Sequence, residues 1–244
     1  MVMDGRSTAF LTAIVVTVMV SSLCVVCPIP EESDSEFGEL DYVALGDSIT
    51  YGYEWGGGRV ADPYPCLVSK RLGFGTHTNL AVSGTTLTEC HGRSNIMSQL
   101  EEVRSGADVV SVMIGVNDYA ISAPLGDIDD VGNDTIYGSL NLLVTGLKEG
   151  CPNAFIFFMT PYPFIGMPGH NSAGYTLADV ADAVEEVCAS HSVPVLDMYG
   201  DGGFILANDP RCDGLHPTQE FFRAYTAPQI IAFIEENFVP IIDL

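Results

Sequence analysis

Five short apolar runs, separated by segments with helical periodicity, constrain most strongly what this chain can fold into. The runs lie at residues 42–45, 78–82, 109–114, 155–159 and 193–196. Helical patterns lie at 94–104, at 135–149 with Asp134 as its N-cap, at 177–191, and at 218–238 with an interruption at Pro228. Alternating strands and helices predict an α/β fold, with a five-stranded parallel sheet between two helical layers.

The length and charge of the chain favour a single globular domain and argue against a nucleic-acid-binding protein. The chain has 244 residues, 47% of them hydrophobic, which is enough for one domain with a sizeable core. Its formal charge is −23, with only nine Lys and Arg residues, so it would be repelled by phosphate backbones, and we expect no nucleic-acid partner. Two interpretations of this acidity stay open: adaptation to a saline habitat, or solubility alone.

An apolar run at residues 9–26 follows Arg6 and precedes Pro28. This pattern predicts a secretory signal peptide, and the alternative is an uncleaved N-terminal membrane anchor. We therefore expect a signal peptide or anchor over residues 1–27, an acidic linker over 28–40, and one catalytic domain over 41–244. The domain would be secreted or otherwise extracytoplasmic.

Polar residues follow the predicted strands. Ser48 follows the first apolar run, Gly84 the second and Asn117 the third, while Asp213 and His216 follow the fifth. Because parallel strands carry their ligand sites beyond their carboxyl ends, we expect these five residues at one edge of the sheet.

This combination is typical of acyl transfer through a serine. Ser48 would be the nucleophile, His216 the base that takes its proton, and Asp213 the carboxylate that orients the imidazole. The backbone N–H groups of Ser48 and Gly84, with the side-chain amide of Asn117, would form the oxyanion hole. We expect no metal and no cofactor.

The motifs around these residues resemble those of the GDSL, or SGNH, hydrolase family. The matching blocks are Gly46-Asp47-Ser48-Ile49, Asn79-Leu80-Ala81-Val82-Ser83-Gly84, Gly115-Val116-Asn117-Asp118 and Asp213-Gly214-Leu215-His216-Pro217. The resemblance implies a flavodoxin-like three-layer α/β/α fold, metal-free ester hydrolysis and the site roles given above. Asp47 and Asp118 are expected to accept hydrogen bonds from backbone near the site.

The predicted function is a secreted serine esterase acting on small or medium acyl groups, either carbohydrate O-acetyl groups or lipid esters. The alternatives are an acyltransferase and a non-catalytic carbohydrate-binding surface protein. Two apolar segments are open to interpretation as pocket wall or as packing: residues 161–175, and the cluster of Tyr51, Tyr53 and Trp55.

Five cysteines follow the N-terminal segment, namely Cys66, Cys90, Cys151, Cys188 and Cys212, and export favours disulfides among them. We predict the pairs Cys66–Cys90 and Cys151–Cys188, with Cys212 free. The alternative is that Cys212 pairs with another cysteine and braces the loop that carries Asp213.

Overall fold

A parallel five-stranded sheet forms the centre of the domain. The structure is a computed structural model that describes residues 35–54, 56–89, 92–164, 169–200 and 213–238, all within the compact unit Ser33–Leu244. The strands are β1 (Asp41–Gly46), β4 (Thr76–Asn79), β5 (Val109–Met113), β6 (Phe155–Met159) and β7 (Val195–Leu196), in the order β4-β1-β5-β6-β7. A separate antiparallel hairpin joins β2 (Tyr53–Glu54) to β3 (Gly58–Arg59).

Helices cover the sheet in two groups. They are α1 (Ser48–Tyr51), α2 (Tyr64–Leu72), α3 (Ile96–Glu102), α4 (Val116–Ile121), α5 (Ile136–Gly150), α6 (Leu177–Ser190), α7 (Gln219–Phe221) and α8 (Ala227–Asn237), with a π-helical segment Phe222–Thr226 between the last two. Helix α2 packs against α8, while α5 packs against α3 and α6. The predicted three-layer α/β/α architecture with a parallel sheet is therefore confirmed.

The central strands supply the core. Every residue of β5 is buried, as is all of β1 after its first residue, which explains why these segments read as unbroken apolar runs. The polar exception is Ser111, whose hydroxyl bonds that of Tyr42 at 2.8 Å. Phe37 is also buried, with its ring centroid 5.0 Å from that of Phe74, so the described end of the predicted acidic linker packs against the domain.

Several local predictions need correction. The second strand spans Thr76–Asn79 instead of residues 78–82, and the Asn79 side chain donates to the carbonyl of Thr50 and accepts from the N–H of Ala81. The chain beyond it stays beside β1, because the N–H groups of Leu80 and Val82 donate to the carbonyls of Ala44 and Gly46. The N-cap of α5 is Thr135, whose hydroxyl accepts from the N–H of Gly138, and not Asp134. Helix α2 and the β2–β3 hairpin were not predicted. The break near Pro228 is confirmed, since this proline lies in the first turn of α8.

The predicted disulfides are also wrong. Cys66, Cys151 and Cys188 are free thiols. The Cys151 thiol donates to the carbonyl of Arg104 at 3.2 Å, and Cys188 is fully buried in the core. Cys151, which follows α5, and Cys188, on α6, are both buried, but two buried thiols on different elements need not meet. Cys90 and Cys212 lie outside the described residues.

The predicted signal peptide or anchor over residues 1–27 also lies outside the described residues. Within the part of the chain that the structure describes, no helix is long and apolar enough to cross a membrane.

Candidate active site

Ser48 lies where β1 passes into α1. The Asp47 side chain caps this short helix by accepting a hydrogen bond from the N–H of Ile49 at 2.9 Å. Gly46 is needed just before it, because a Cβ there would collide with the Thr50 side chain and the Met113 carbonyl. The glycine therefore lets the chain bend tightly against β5, and Ser48 is held at the carboxyl edge of the sheet.

The loop after β7 brings Asp213 and His216 to the same edge. Oδ1 of Asp213 accepts from the backbone N–H groups of Leu215 (2.9 Å) and His216 (2.6 Å), while Oδ2 lies 2.7 Å from Nδ1 of His216. The other ring nitrogen, Nε2, lies 3.0 Å from Oγ of Ser48. The three residues predicted to act together thus form one continuous hydrogen-bonded chain.

The charge on Asp213 fixes the direction of these hydrogen bonds. Burial alone would raise the pKa of Asp213, but the hydrogen bonds from His216 and Leu215 outweigh it and lower the pKa below its ordinary value. An ionised carboxylate can only accept, so Nδ1 of His216 carries the proton and Nε2 is left to accept from the Ser48 hydroxyl. This is the tautomer that a general base needs.

A tight turn over residues 82–85 carries Gly84. The N–H of Thr85 donates to the carbonyl of Val82 at 3.2 Å, and the N–H of Val82 donates to the carbonyl of Gly46 at 3.3 Å. Gly84 is the third residue of the turn and has φ +84°, a conformation that favours glycine. The turn is thereby joined directly to the strand end that precedes Ser48.

Asn117, in the first turn of α4, lies beside this turn. One N–H of its side-chain amide donates to the carbonyl of Thr85 at 2.9 Å. Since an amide nitrogen has two hydrogens, this contact orients the group and leaves the second N–H available. The structure therefore links Asn117 to the residue directly after Gly84.

Two buried carboxyl groups support these loops, as predicted for Asp47 and Asp118. Asp118 accepts from the N–H groups of Leu87 and Thr88, both at 2.9 Å, and so ties α4 to the segment after Gly84. Burial raises the pKa of Asp118, against the lowering effect of these hydrogen bonds. Burial likewise raises the pKa of Asp47 to about 7, against the hydrogen bond from Ile49 and with a smaller rise from the nearby charge of Asp118.

Two glutamines that the sequence analysis did not single out also hold the site. Gln219 accepts from the N–H of Asp62 (2.8 Å) and donates to its carbonyl (2.7 Å), which fastens the segment after His216 to the start of α2. Gln99 makes the same paired contact with Gly46. The sequence signal for Gln99 is a polar residue on the apolar face formed by Ile96, Leu100 and Val103.

The two apolar segments divide between site and packing. Tyr53 lies against His216, with ring centroids 4.6 Å apart, whereas Tyr51 packs under the Arg59 guanidinium. In the loop after β6, Tyr162 is fully buried and its hydroxyl bonds that of Thr226, so this residue belongs to the core. Trp55 and residues 165–168 lie outside the described residues. Among the described residues, no three His, Cys, Asp or Glu side chains gather as a metal site.

Comparison with known proteins identifies the family. Residues 44–224 match the model of the GDSL-like lipase/acylhydrolase family, and this span includes every predicted site residue. The chain belongs to this family, and the flavodoxin-like SGNH hydrolase fold predicted from the motifs is confirmed. No curated protein matches the chain.

Solved structures share the fold. A protein from Lactobacillus plantarum is 27% identical, covers 83% of this chain and 99% of its own, and superposes with a TM-score of 0.73. An aryl esterase from M. smegmatis is 18% identical over 82% of this chain and 100% of its own, with a TM-score of 0.62. A carbohydrate acetylesterase family member from Sinorhizobium meliloti is 19% identical over 81% and 98%, with a TM-score of 0.58. Family and fold together support an ester hydrolase.

Proposed function

We propose that this protein is a serine esterase that hydrolyses carboxylic esters of small or medium acyl groups through an acyl-enzyme. The observation that carries the proposal is the hydrogen-bonded chain from Ser48 through His216 to Asp213, with contacts of 3.0 and 2.7 Å. A binding module has no need of a serine hydroxyl aligned with an imidazole and a partly buried carboxylate.

In the first half of the reaction, Oγ of Ser48 attacks the ester carbonyl carbon and its proton moves to Nε2 of His216. Asp213 stabilises the imidazolium that results. The negative oxygen of the tetrahedral intermediate accepts from the N–H groups of Ser48 and Gly84 and from the second amide N–H of Asn117. His216 then protonates the leaving alcohol, and Ser48 remains acylated.

In the second half, a water molecule takes the place of the alcohol. His216 removes its proton, the hydroxide attacks the acyl carbon, and Ser48 leaves with the proton returned by His216. The same residues therefore act twice, and no metal ion is required at any step.

The substrates we propose are carbohydrate O-acetyl groups or lipid esters. The family name, and the names of the aryl esterase and carbohydrate acetylesterase neighbours, determine which compounds to test first. We also propose that the domain acts outside the cytoplasm, on the basis of the apolar run at residues 9–26 alone. Fractionation of cells that express the full chain tests this second proposal, and retention in the cytoplasm would contradict it.

The deciding experiment is a chain-length series of p-nitrophenyl esters, run beside acetylated polysaccharides, with wild type and Ser48→Ala. The variant should lose roughly 10⁴-fold or more in kcat while remaining folded. A fluorophosphonate should phosphonylate Ser48 of wild type with loss of fluoride, which adds the mass of the phosphonyl group, and should leave the variant unmodified. Equal turnover by the two proteins would refute the proposal, and absence of labelling in wild type would favour a non-catalytic binding protein.

A further inference from the structure

The Gln99 side chain links the end of β1, just before Ser48, to the turn that carries Gly84. It lies on α3 with 2% of its surface exposed. The N–H of Gly46 donates to its Oε1 at 2.9 Å, and its Nε2 donates both to the carbonyl of Gly46 at 2.8 Å and to the hydroxyl of Thr85 at 3.2 Å. One buried side chain therefore bonds both Gly46, two residues before Ser48, and Thr85, directly after Gly84.

These contacts use both hydrogens of the Gln99 amide nitrogen. They also orient the Thr85 hydroxyl. Its oxygen accepts from Gln99, and its hydrogen is donated to the carbonyl of Val82 at 2.7 Å. Thr85 is in turn the residue whose carbonyl orients Asn117. Hydrogen bonds therefore link the end of β1 to Gln99, Gln99 to Thr85, and Thr85 to Asn117, while Gly84 is joined to Thr85 by the peptide bond.

We propose that Gln99 is a positioning residue that sets the distance between the nucleophile and the oxyanion hole. The inference rests on the proposed function of Ser48, Gly84 and Asn117. Gln99 touches no reacting atom, and its effect is on geometry: a displacement of about 1 Å between catalytic groups can cost roughly 100-fold in rate. Loss of its contacts should therefore lower kcat and leave KM nearly unchanged, because the oxyanion exists only in the transition state.

Two substitutions separate this role from a general contribution to stability. Gln99→Met keeps the volume and removes every hydrogen bond. Gln99→Glu keeps the shape and replaces the amide donor with a carboxyl group, which can donate to the Gly46 carbonyl only while it is protonated. The buried Asp47 directly follows Gly46, and the buried Asp118 on α4 bonds the segment that follows Thr85, so ionisation of the new carboxyl would be opposed by burial and by these two groups.

The matched control is Asn141→Leu. Asn141 lies on α5 and, like Gln99, donates to two partners, here the carbonyls of Ile128 and Asp130. Its removal loosens a loop of the domain that carries none of the proposed site residues, and kcat should stay within about twofold of wild type.

The experiment measures kcat and KM for p-nitrophenyl acetate, with the folded fraction of each protein followed by circular dichroism at the assay pH. Wild type must first show turnover that Ser48→Ala abolishes. If wild type shows no such turnover, that result refutes the proposed function and not the role of Gln99. Folded Gln99→Met should then lose about 10- to 100-fold in kcat. A folded Gln99→Met enzyme with the kcat of wild type would overturn the inference.

The pH series decides the matter even if Gln99→Met does not fold. The ratio of kcat for Gln99→Glu to that of wild type should fall about tenfold between roughly pH 5 and 8, as the new carboxyl ionises and repels the Gly46 carbonyl. This fall should occur while the variant remains folded. A ratio that stays constant with pH, or that follows only the folded fraction, would overturn the positioning role.

Discussion

Nε2 of His216 lies 3.0 Å from Oγ of Ser48, although 168 residues separate them in the chain. The contact exists because β1 and the loop after β7 both reach the carboxyl edge of the sheet. The proposed nucleophile and base therefore come from opposite ends of the domain, and each of the intervening loops can be tested for its own part in the proposed chemistry.

Replacing Asn117 with Ala should lower kcat by roughly 10²–10³ and change KM little. The amide donates to the oxyanion, which is absent from the bound substrate. Asn117→Asp should lose at least as much, because a carboxylate offers no donor and repels the developing charge. Steady-state kinetics with p-nitrophenyl acetate check this, and a change confined to KM would make Asn117 a contact to the ground-state substrate.

Replacing Asp213 with Asn should lower kcat by about 10⁴, as expected when the imidazole loses the partner that selects its tautomer. The lowered pKa of Asp213 means that the carboxylate is present throughout the neutral range. The loss should therefore be the same at all pH values where wild type is active. Asp62→Asn, which changes a partly buried carboxylate paired with the exposed Lys70, is the control and should keep wild-type turnover.

Asp47→Asn should change how stability depends on pH. Burial raises the pKa of Asp47 from 3.8 to about 7, so between these values the folded protein holds a proton that the unfolded chain releases. This contribution to the free energy of unfolding is full below about pH 4 and is lost as the pH rises through 7, by at most about 1.4 kcal/mol per pH unit. Asparagine can still cap α1 but cannot titrate.

Urea unfolding of wild type and Asp47→Asn at several pH values between 4 and 8 measures this slope. The variant should show a flatter decline, whereas Asp129→Asn, at an exposed position, should behave as wild type does. Groups with lowered pKa values, such as Asp213, lose their contribution only below about pH 4 and do not enter this range. Identical slopes for wild type and Asp47→Asn would contradict the buried carboxyl.

The cysteines should differ in reactivity in the folded protein. Cys66 is half-buried and should be alkylated first, while Cys188 is fully buried and burial raises the pKa of its thiol to about 12, so it should react only after unfolding. Peptide mapping after timed alkylation measures this order. A peptide pair joined through Cys151 and Cys188 would show that these thiols are oxidised after all.

The sequence predicted the residues of the site better than the contacts that support it. Ser48, Gly84 and Asn117 stand close after apolar runs, Asp213 and His216 lie farther along the segment after the fifth run, and the geometry of a parallel sheet favours one edge for such positions. Helical periodicity indicates which side chains are buried, but it does not predict their hydrogen-bond partners. Gln99 could be placed on an inward helix face, but its contacts with Gly46 and Thr85 depend on how α3 meets two loops.

The errors have the same origin. Cys151 and Cys188 were paired because they lie at or near the ends of successive predicted helices, but the sequence does not encode the distance between two such thiols. The second strand was predicted too far along the chain because β4 is an edge strand of polar and mostly exposed residues, Thr76–Asn79, whereas the apolar residues that suggested a strand follow it at 80–82. Helix α2 escaped prediction because it is only nine residues long and its buried face includes Pro65 and Ser69.

Gln219 has a consequence for the time at which the enzyme becomes active. Its two hydrogen bonds to Asp62 close a loop of 157 residues, and they close it just beyond His216. Contacts between such distant parts of a chain form late, because the entropy of the long loop must be overcome before they contribute. Turnover during refolding would then report the final step of assembly, so that a newly made chain cannot cleave esters until the rest of the domain is in place.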